Sequence, residues 1–306
     1  MTIQLNQPFS FCQLGKRDNQ EDYRYPNSNR PSDFDPFFIV CDGVGGSADG
    51  EIASRAVAMG MAEALKNVDW NRDFTPKDFQ IVLGAAYKAL DHAATNASSD
   101  MATTLTMICF HEGGCSMAYM GDSRIYHFRP NQGILYCSSD HSLINELVHA
   151  GVVSPDQALS HPQRNVINRY MAPTSDDEER CQPTWYQTSD IEAGDIFFLC
   201  TDGVTDVIDN DTLETIICSD GSDEEKRDNI ARLSYHSDDN NTAILVSVAQ
   251  VIKTEEYHTS EQEDDNGQDT KRIHRPTPVA VDLEINESRN LSGYRVMKMI
   301  KKVLNL

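Results

Sequence analysis

Two short runs constrain this chain more than any other feature. "FFIVCDGVGG", starting at Phe37, and "FFLCTDGV", starting at Phe197, each carry unbroken apolar residues into an Asp-Gly step. An apolar run of four or five bounded by turn residues reads as a buried strand. Each strand then delivers a carboxylate at its tip, Asp42 in the first and Asp202 in the second. Two such strands in one chain imply that two acids are aimed at one place.

The rest of the chain supplies partners for these strands. Residues 9–14 and 37–41 are predicted as strands. From Ser47 to about Val68, Ile52, Val57, Met61 and Leu65 recur at helical spacing, and 76–97 continues likewise, so two amphipathic helices are predicted. A meander follows: "ATTLTMICFH", "CSMAYMG", "RIYHFR" and "GILYCSS". Turns at Gly113-Gly114, Asp122-Ser123 and Asn131-Gln132-Gly133 separate these segments. Connections this short require antiparallel pairing. Residues 141–150 read as helix, the stretch to about Pro183 as irregular and polar, 210–219 and 222–234 as helices, and "TAILVSVA" as a strand. The prediction is an α+β domain over 1–252, with helices stacked outside antiparallel sheets.

Beyond that domain the character changes. "TEEYHTSEQEDDNGQDT" almost lacks apolar residues, and 253–270 is predicted to be an acidic flexible linker. The tail, 271–306, ends in "GYRVMKMIKKVLNL". There Val296, Met299, Ile300, Val303 and Leu304 recur at helical spacing among Arg295, Lys298, Lys301 and Lys302. This predicts a basic amphipathic helix that docks on protein.

Charge narrows the function. The 306 residues hold 48 Asp and Glu against 26 Lys and Arg, a formal charge of -22. Such a field repels phosphate backbones, which excludes nucleic acid as a partner, and it suits hard divalent cations. The first residues show no basic, apolar leader, and no run of about 18 apolar residues occurs, so the expectation is a cytoplasmic protein without a transmembrane segment. Eight Cys are scattered without C-x-x-C pairs, and Cys41, Cys109 and Cys200 lie in apolar runs, as reduced buried thiols do.

Several familiar chemistries fail on their own requirements. Gly43 to Ala48 matches G-x-G-x-x-A, but Asp42 would face the pyrophosphate and no second strand follows. No Lys follows these glycines, as a P-loop needs. "DFD" at 33–35 lacks the apolar strand that would present a phosphate-accepting Asp pair. No cysteine-phosphatase loop, G-x-S-x-G or H-x-x-x-H pair occurs. What remains is carboxylates at strand ends: Glu21-Asp22, Asp42, Asp122, Asp202 and Asp239. One Asp beside a Gly is usually a turn former. Five such sites abutting apolar strands call for cations to neutralise them, and all-oxygen ligation points to Mg²⁺ or Mn²⁺.

The sequence resembles the metal-dependent protein phosphatases, the type 2C serine/threonine phosphatases, and especially their bacterial branch. The resemblance rests on "RDNQED", "CDGVGGSADGEIAS", "ATTLT", "AYMGDSRIY", "DHSL", "HPQRNVINRYM", "FFLCTDGVTDVI" and "DNNTAILV", which occur in family order over about 9–249. It implies a central β-sandwich of antiparallel sheets flanked by helices, a four-layer αββα fold. It implies hydrolysis of phosphoserine and phosphothreonine in proteins by metal-activated water, opposing a cognate serine/threonine kinase in signalling.

By the same resemblance Arg17 binds phosphate, and Glu21 and Asp22 form the acidic pair beside the second metal. Asp42 bridges the metals, Gly43 offers its carbonyl, and Asp202 and Asp239 complete the first metal. Asp122 holds a third, weaker metal. Two tightly bound Mn²⁺ or Mg²⁺ ions would share and activate the attacking water. Residues 142–180 resemble the family's flap.

Three positions depart from the family pattern. Val44 replaces the His that many eukaryotic relatives carry as a proposed general acid, so the leaving oxygen's proton must come from elsewhere, such as a water at the Asp122 metal. Gln20 replaces Asn. Asn241 replaces an apolar residue, and spacing to Thr242 favours Asp239 over Asp238 as the ligand. Two rival readings are a non-catalytic phosphoprotein-binding relative and a hydrolase of small phosphate esters.

Overall fold

A computed structural model of the protein describes residues 1–44, 49–95, 97, 100–154, 157–158, 161, 163, 166–174 and 180–253. Its strands are β1 (Thr2–Leu5), β2 (Phe9–Gln13), β3 (Asp22–Tyr25), β4 (Phe37–Asp42), β5 (Leu105–His111), β6 (Gly114–Met120), β7 (Arg124–Arg129), β8 (Gly133–Cys137), β9 (Thr184–Thr188), β10 (Ile196–Cys200) and β11 (Asn241–Ile252). Its helices are α1 (Gly50–Leu65), α2 (Pro76–Ala94), α3 (Leu143–His149), α4 (Asp202–Thr205), α5 (Asn210–Ile217) and α6 (Asp223–Ser234).

The strands form two antiparallel sheets, as expected. One runs β3-β4-β5-β6-β9 and the other β1-β11-β10-β7-β8. The long β11 takes β2 along Asn241–Leu245 and β1 along its second half, from Val248 to Ile252.

The unbroken apolar runs now have a physical explanation. In β4, Phe37, Ile39 and Cys41 face α1 and α2 among Val57, Met61 and Leu83, whereas Phe38 and Val40 face the other sheet. In β10, Phe197 and Leu199 meet Phe38 and Val40 between the sheets, while Phe198 and Cys200 pack outward with Leu213, Ile217 and Ile230 of α5 and α6. A strand buried on both faces has no polar side to alternate with. Helices, sheet, sheet and helices therefore stack in the four-layer αββα order.

Local chemistry sets the helix starts. α2 begins with a capping box between Thr75 and Asp78 and has Pro76 in its first turn, and α6 begins with a capping box between Ser222 and Glu225. The predicted helix from Ser47 is observed from Gly50, with 45–48 outside the described residues. β1, β3 and β9 were not anticipated. They are short and rich in polar residues, so they carry little apolar signal, and pairing at sheet edges creates them. All eight cysteines are free, and Cys41, Cys109 and Cys200 are fully buried. Among the described residues no helix is long and apolar enough to cross a membrane. The predicted linker and tail, from 254 onward, lie outside the described residues.

Candidate active site

The two strands that opened the sequence argument end side by side. Asp42 is the last residue of β4, and its register partner on β3 is Asp22. Asp202 follows β10 in the other sheet. The Asp42 and Asp202 carboxyl groups lie within each other's electrostatic field. Thr201 ties the sheets together there: its hydroxyl donates to Asp22 Oδ2 at 3.0 Å and accepts from the Thr242 N–H at 3.0 Å.

Backbone contacts hold these acids in place. The Asp42 N–H donates to Thr104 Oγ1 at 3.0 Å, and its carbonyl accepts from Thr103 Oγ1 and Thr104 N at 2.8 Å each. Gly43 N–H donates to the Glu21 carbonyl at 3.1 Å. Close approach excludes larger residues at two positions. A Cβ on Gly43 would fall 2.6 Å from the Gly50 carbonyl, and one on Gly203 would fall 2.0 Å from the Asn240 oxygen. Both strand-end glycines therefore let neighbouring backbone close on the acids.

The electrostatics are strained without compensation. Burial and the fields of Asp202 and Asp239 push Asp22 up to about 7, against hydrogen bonds from Thr242 and Thr201 that pull it down. Burial and the field of Asp202 push Asp122 to about 8, and burial with Asp239 and Asp206 pushes Asp202 to about 6. Asp42 is driven well above the carboxylate range by burial and by Asp22, Asp202, Asp122 and Asp239. Burial and Glu51 raise Glu21 as well. Asp22 Oδ1 and Asp202 Oδ1 are buried with no hydrogen-bond partner among the described residues. Orphaned carboxylate oxygens in a shared field are what a bound cation satisfies, and an oxygen-only donor set suits Mg²⁺ or Mn²⁺. Among the described residues no three acidic, His or Cys side chains already form an ion cage. Mutual repulsion opposes such closure until positive charge is present.

Asp239 belongs to this field and Asp238 does not. Asp238 is 91% exposed and bonded to Lys16 Nζ at 2.7 Å, whereas Asp239 Oδ2 is 2.6 Å from Arg17 Nη2. Arg17 was expected to grip phosphate. It stands at the rim of the site, but one guanidinium N–H is held by Asp239, because the acids are the strongest field within its reach. Asp122 sits in the β6–β7 turn after Gly121 (φ +103°), bordering a cleft of about 270 Å³ shared with Asp202. Beside it Arg124 makes a two-pronged pair with Asp140, both bonds 2.7 Å.

Sequence reasoning missed two positioning residues. One is Thr201. The other is Asn240, 3% exposed, whose side-chain oxygen accepts from Glu21 N at 2.8 Å. Its Nδ2 donates to the Leu14 and Asn19 carbonyls at 2.9 Å each. Asn240 thus clasps the loop that carries Arg17 and Glu21. Both residues lie inside quoted motifs, "CTDG" and "DNNT", but a hydroxyl and an amide carry no charge to mark them.

Comparison with known proteins places this geometry. The family model described as protein phosphatase 2C matches residues 19–219. Protein phosphatase PhpP of Streptococcus pneumoniae serotype 2 is 30% identical over 237 residues, covering 76% of this chain and 93% of that protein. The crystal structure of serine/threonine phosphatase Stp1 from Staphylococcus aureus superposes with a TM-score of 0.67 at 27% identity, covering 81% of this chain and 97% of that one. The catalytic domain of PstP, in complex with two manganese ions, shares the fold with a TM-score of 0.67 at 23% identity, over 81% of this chain and 100% of that one.

Proposed function

This chain belongs to the protein phosphatase 2C family, and we propose a residue-level reading of how it acts. It is a metal-dependent protein serine/threonine phosphatase that hydrolyses phosphoserine and phosphothreonine. The observation that carries the reading is that Asp22, Asp42 and Asp202, brought from the strand ends of two different sheets, share one field in which the buried Asp22 Oδ1 and Asp202 Oδ1 have no partner among the described residues.

The proposed ligand set for two Mn²⁺ or Mg²⁺ ions is Glu21, Asp22, Asp42, the Gly43 carbonyl, Asp202 and Asp239, with Asp122 serving a third, weaker ion. When bound, such ions supply Lewis acidity and lower the pKa of a water. The chain's own residues do the rest. Thr201 fixes the orientation of Asp22 through its hydroxyl. Asn240 holds the loop bearing Glu21 and Arg17 against β11. Arg17 binds phosphoryl oxygens with its planar guanidinium, exchanging Asp239 for substrate. Val44 has no proton to give, so the leaving serine or threonine oxygen takes its proton from solvent in the cleft beside Asp122.

The wider reading is a cytoplasmic signalling enzyme that opposes a serine/threonine kinase. Its catalytic domain spans 1–252, 253–270 tethers the tail, and 271–306 docks on protein. The test measures phosphate release from a phosphothreonine peptide and from free phosphoserine with Mn²⁺, Mg²⁺ or chelator, beside a calorimetric Mn²⁺ titration. Cation-dependent turnover that favours the peptide is expected. Mn²⁺ binding without turnover on either substrate would point to the non-catalytic reading, and preference for free phosphoserine to a small-ester hydrolase.

A further inference from the structure

A second recess opens where the two sheets bring their edge strands together. β3 is the edge of one sheet, β2 pairs with β11 in the other, and α1 lies over β3. Between them is a cavity of about 780 Å³. Asp22 and Gln20 are among its lining residues, so it abuts the candidate active site.

α1 presents two faces. Ala53, Val57, Ala58, Met61 and Leu65 are buried in the core. Ile52, Arg55, Ala56 and Met59 fall at i, i+3, i+4 and i+7, and this second stripe lines the recess. It is mostly apolar, with one guanidinium at its centre.

The charges here run against the rest of the molecule. Among the described residues most arginines are tied to carboxylates, as Arg17 is to Asp239, Arg72 to Asp78, Arg124 to Asp140, Arg129 to Asp195, Arg180 to Asp91 and Arg227 to Asp228. The two arginines on the recess are not. Arg24 bonds to neutral partners, Ser10 Oγ at 2.9 Å and Asn29 Oδ1 at 2.6 Å. Arg55 is exposed, and no described carboxylate pairs with it, although Glu51 lies one turn away. The recess therefore carries Asp22 beside the candidate metal site, Glu51, an apolar wall and two guanidinium groups.

We propose that this recess is a substrate subsite that takes the polypeptide flanking the phosphorylated residue. An apolar side chain packs on Ala56 and Met59, and an anionic side chain reaches Arg55. The proposal rests on the phosphatase reading above and names the substrate class of that site: phosphoproteins with an apolar and an acidic, or a second phosphorylated, residue near the scissile phosphate. The chain's own tail fits less well, since Arg295, Lys298, Lys301 and Lys302 would meet Arg24 and Arg55.

The test uses the full chain with Mn²⁺, a small aryl phosphate, and phosphothreonine peptides in which a single Glu, phosphothreonine, Lys or Ala is scanned across the flanking positions. At one position Glu or phosphothreonine should lower KM relative to Ala, and the two arms identify the preferred anion. Arg55→Glu should raise KM for that peptide about tenfold, leave the aryl phosphate unchanged, and restore KM for the peptide with Lys there. Charge-swap rescue is a readout that a merely structural role of Arg55 would not produce. Equal KM for all peptides, or an Arg55→Glu effect that extends to the aryl phosphate, overturns the subsite. If deleting 271–306 lowers KM only while Arg55 is present, the tail occupies the recess and the proposal is wrong. An unaltered protein inactive on every substrate would sink the phosphatase reading itself, and the subsite with it.

Discussion

β10 carries an aspartate at each end, and the two live in opposite worlds. Asp195, just before the strand, is fully buried. It accepts from Arg129 Nε and Nη2 at 2.8 and 2.9 Å, from His127 Nε2 at 2.9 Å and from Glu192 N at 2.9 Å. Burial alone would raise it, but the bonds from Arg129 and His127 outweigh that and hold it at about 2. Asp202, just after the strand, has a buried oxygen without a partner among the described residues and is pushed up to about 6 by burial and neighbouring acids. The same residue type, a few residues apart, closes its charge account at one end of the sandwich and leaves it open at the other. The closed end stabilises the fold. The open end costs stability, because its buried acids repel one another.

The largest way to break the comparison is Asp195→Ala. It leaves Arg129 and His127 without their buried acceptor, and removing one partner of a buried pair costs about 3–5 kcal/mol. Arg129 keeps Asp190 at 3.2 Å and Glu192 at 3.3 Å, which places the loss toward the low end. Urea unfolding should show it, while Mn²⁺ affinity of the folded protein stays unchanged. A loss under 1 kcal/mol would mean that the network does not stabilise the fold.

Asp202→Asn should do the reverse. Turnover should fall roughly a hundredfold or more, about 2.7 kcal/mol at the transition state. In chelator its melting temperature should rise, because one unit of repulsion leaves the cluster. Near-normal turnover would remove Asp202 from the proposed ligand set.

Asn240→Ala tests how the open end is held. It strands the Glu21 N–H and the Leu14 and Asn19 carbonyls, a cost of about 1–3 kcal/mol. Since the freed loop carries Arg17, KM for a phosphopeptide should rise more than kcat falls. A stability loss with unchanged KM would make Asn240 a structural clasp only.

The smallest signal is in pH, and its sign differs between the two ends. Asp22, Asp122 and Asp202 have folded values near 7, 8 and 6, above the ordinary carboxylate value of about 3.9. The folded protein without cations therefore binds more protons than the unfolded chain, and its stability should fall as pH rises from about 4 to 8. Mn²⁺ should flatten that slope in melting curves. Asp195 is depressed instead, so its contribution is present above about 4 and is lost as pH falls through about 2. Identical slopes with and without Mn²⁺ would argue against cation binding by these acids.

Much of this was legible from residues alone. The unbroken runs at Phe37 and Phe197 announce buried strands, because apolar residues without a polar alternation must be covered on both sides. The Asp-Gly steps announce that each strand ends on an acid beside a tight backbone approach. Charge is conspicuous in a sequence, so every proposed carboxylate ligand could be singled out in advance, whereas the Gly43 carbonyl was named only through the family resemblance. Thr201 and Asn240 could not, because their role is a hydrogen bond to a distant partner: Thr201 meets Asp22, and Asn240 meets Leu14, Asn19 and Glu21. Nor could β3, whose four residues become a strand only by pairing with β4.

Local pattern by itself determined the long helices, the apolar core strands and which acids stand at their ends, since periodicity and turn chemistry act over a few residues, whereas the edge strands β1, β3 and β9 needed their partners. Only the tertiary structure decided which of those acids share a field. Asp42 meets Asp202 across two sheets, Asp239 turns inward while Asp238 turns to solvent, and Arg17 is drawn to Asp239. The same holds for Asp195, matched to Arg129 from 66 positions away. Coulomb energy and desolvation depend on distance in space and on what else is buried nearby, and neither is written in the order of residues along the chain.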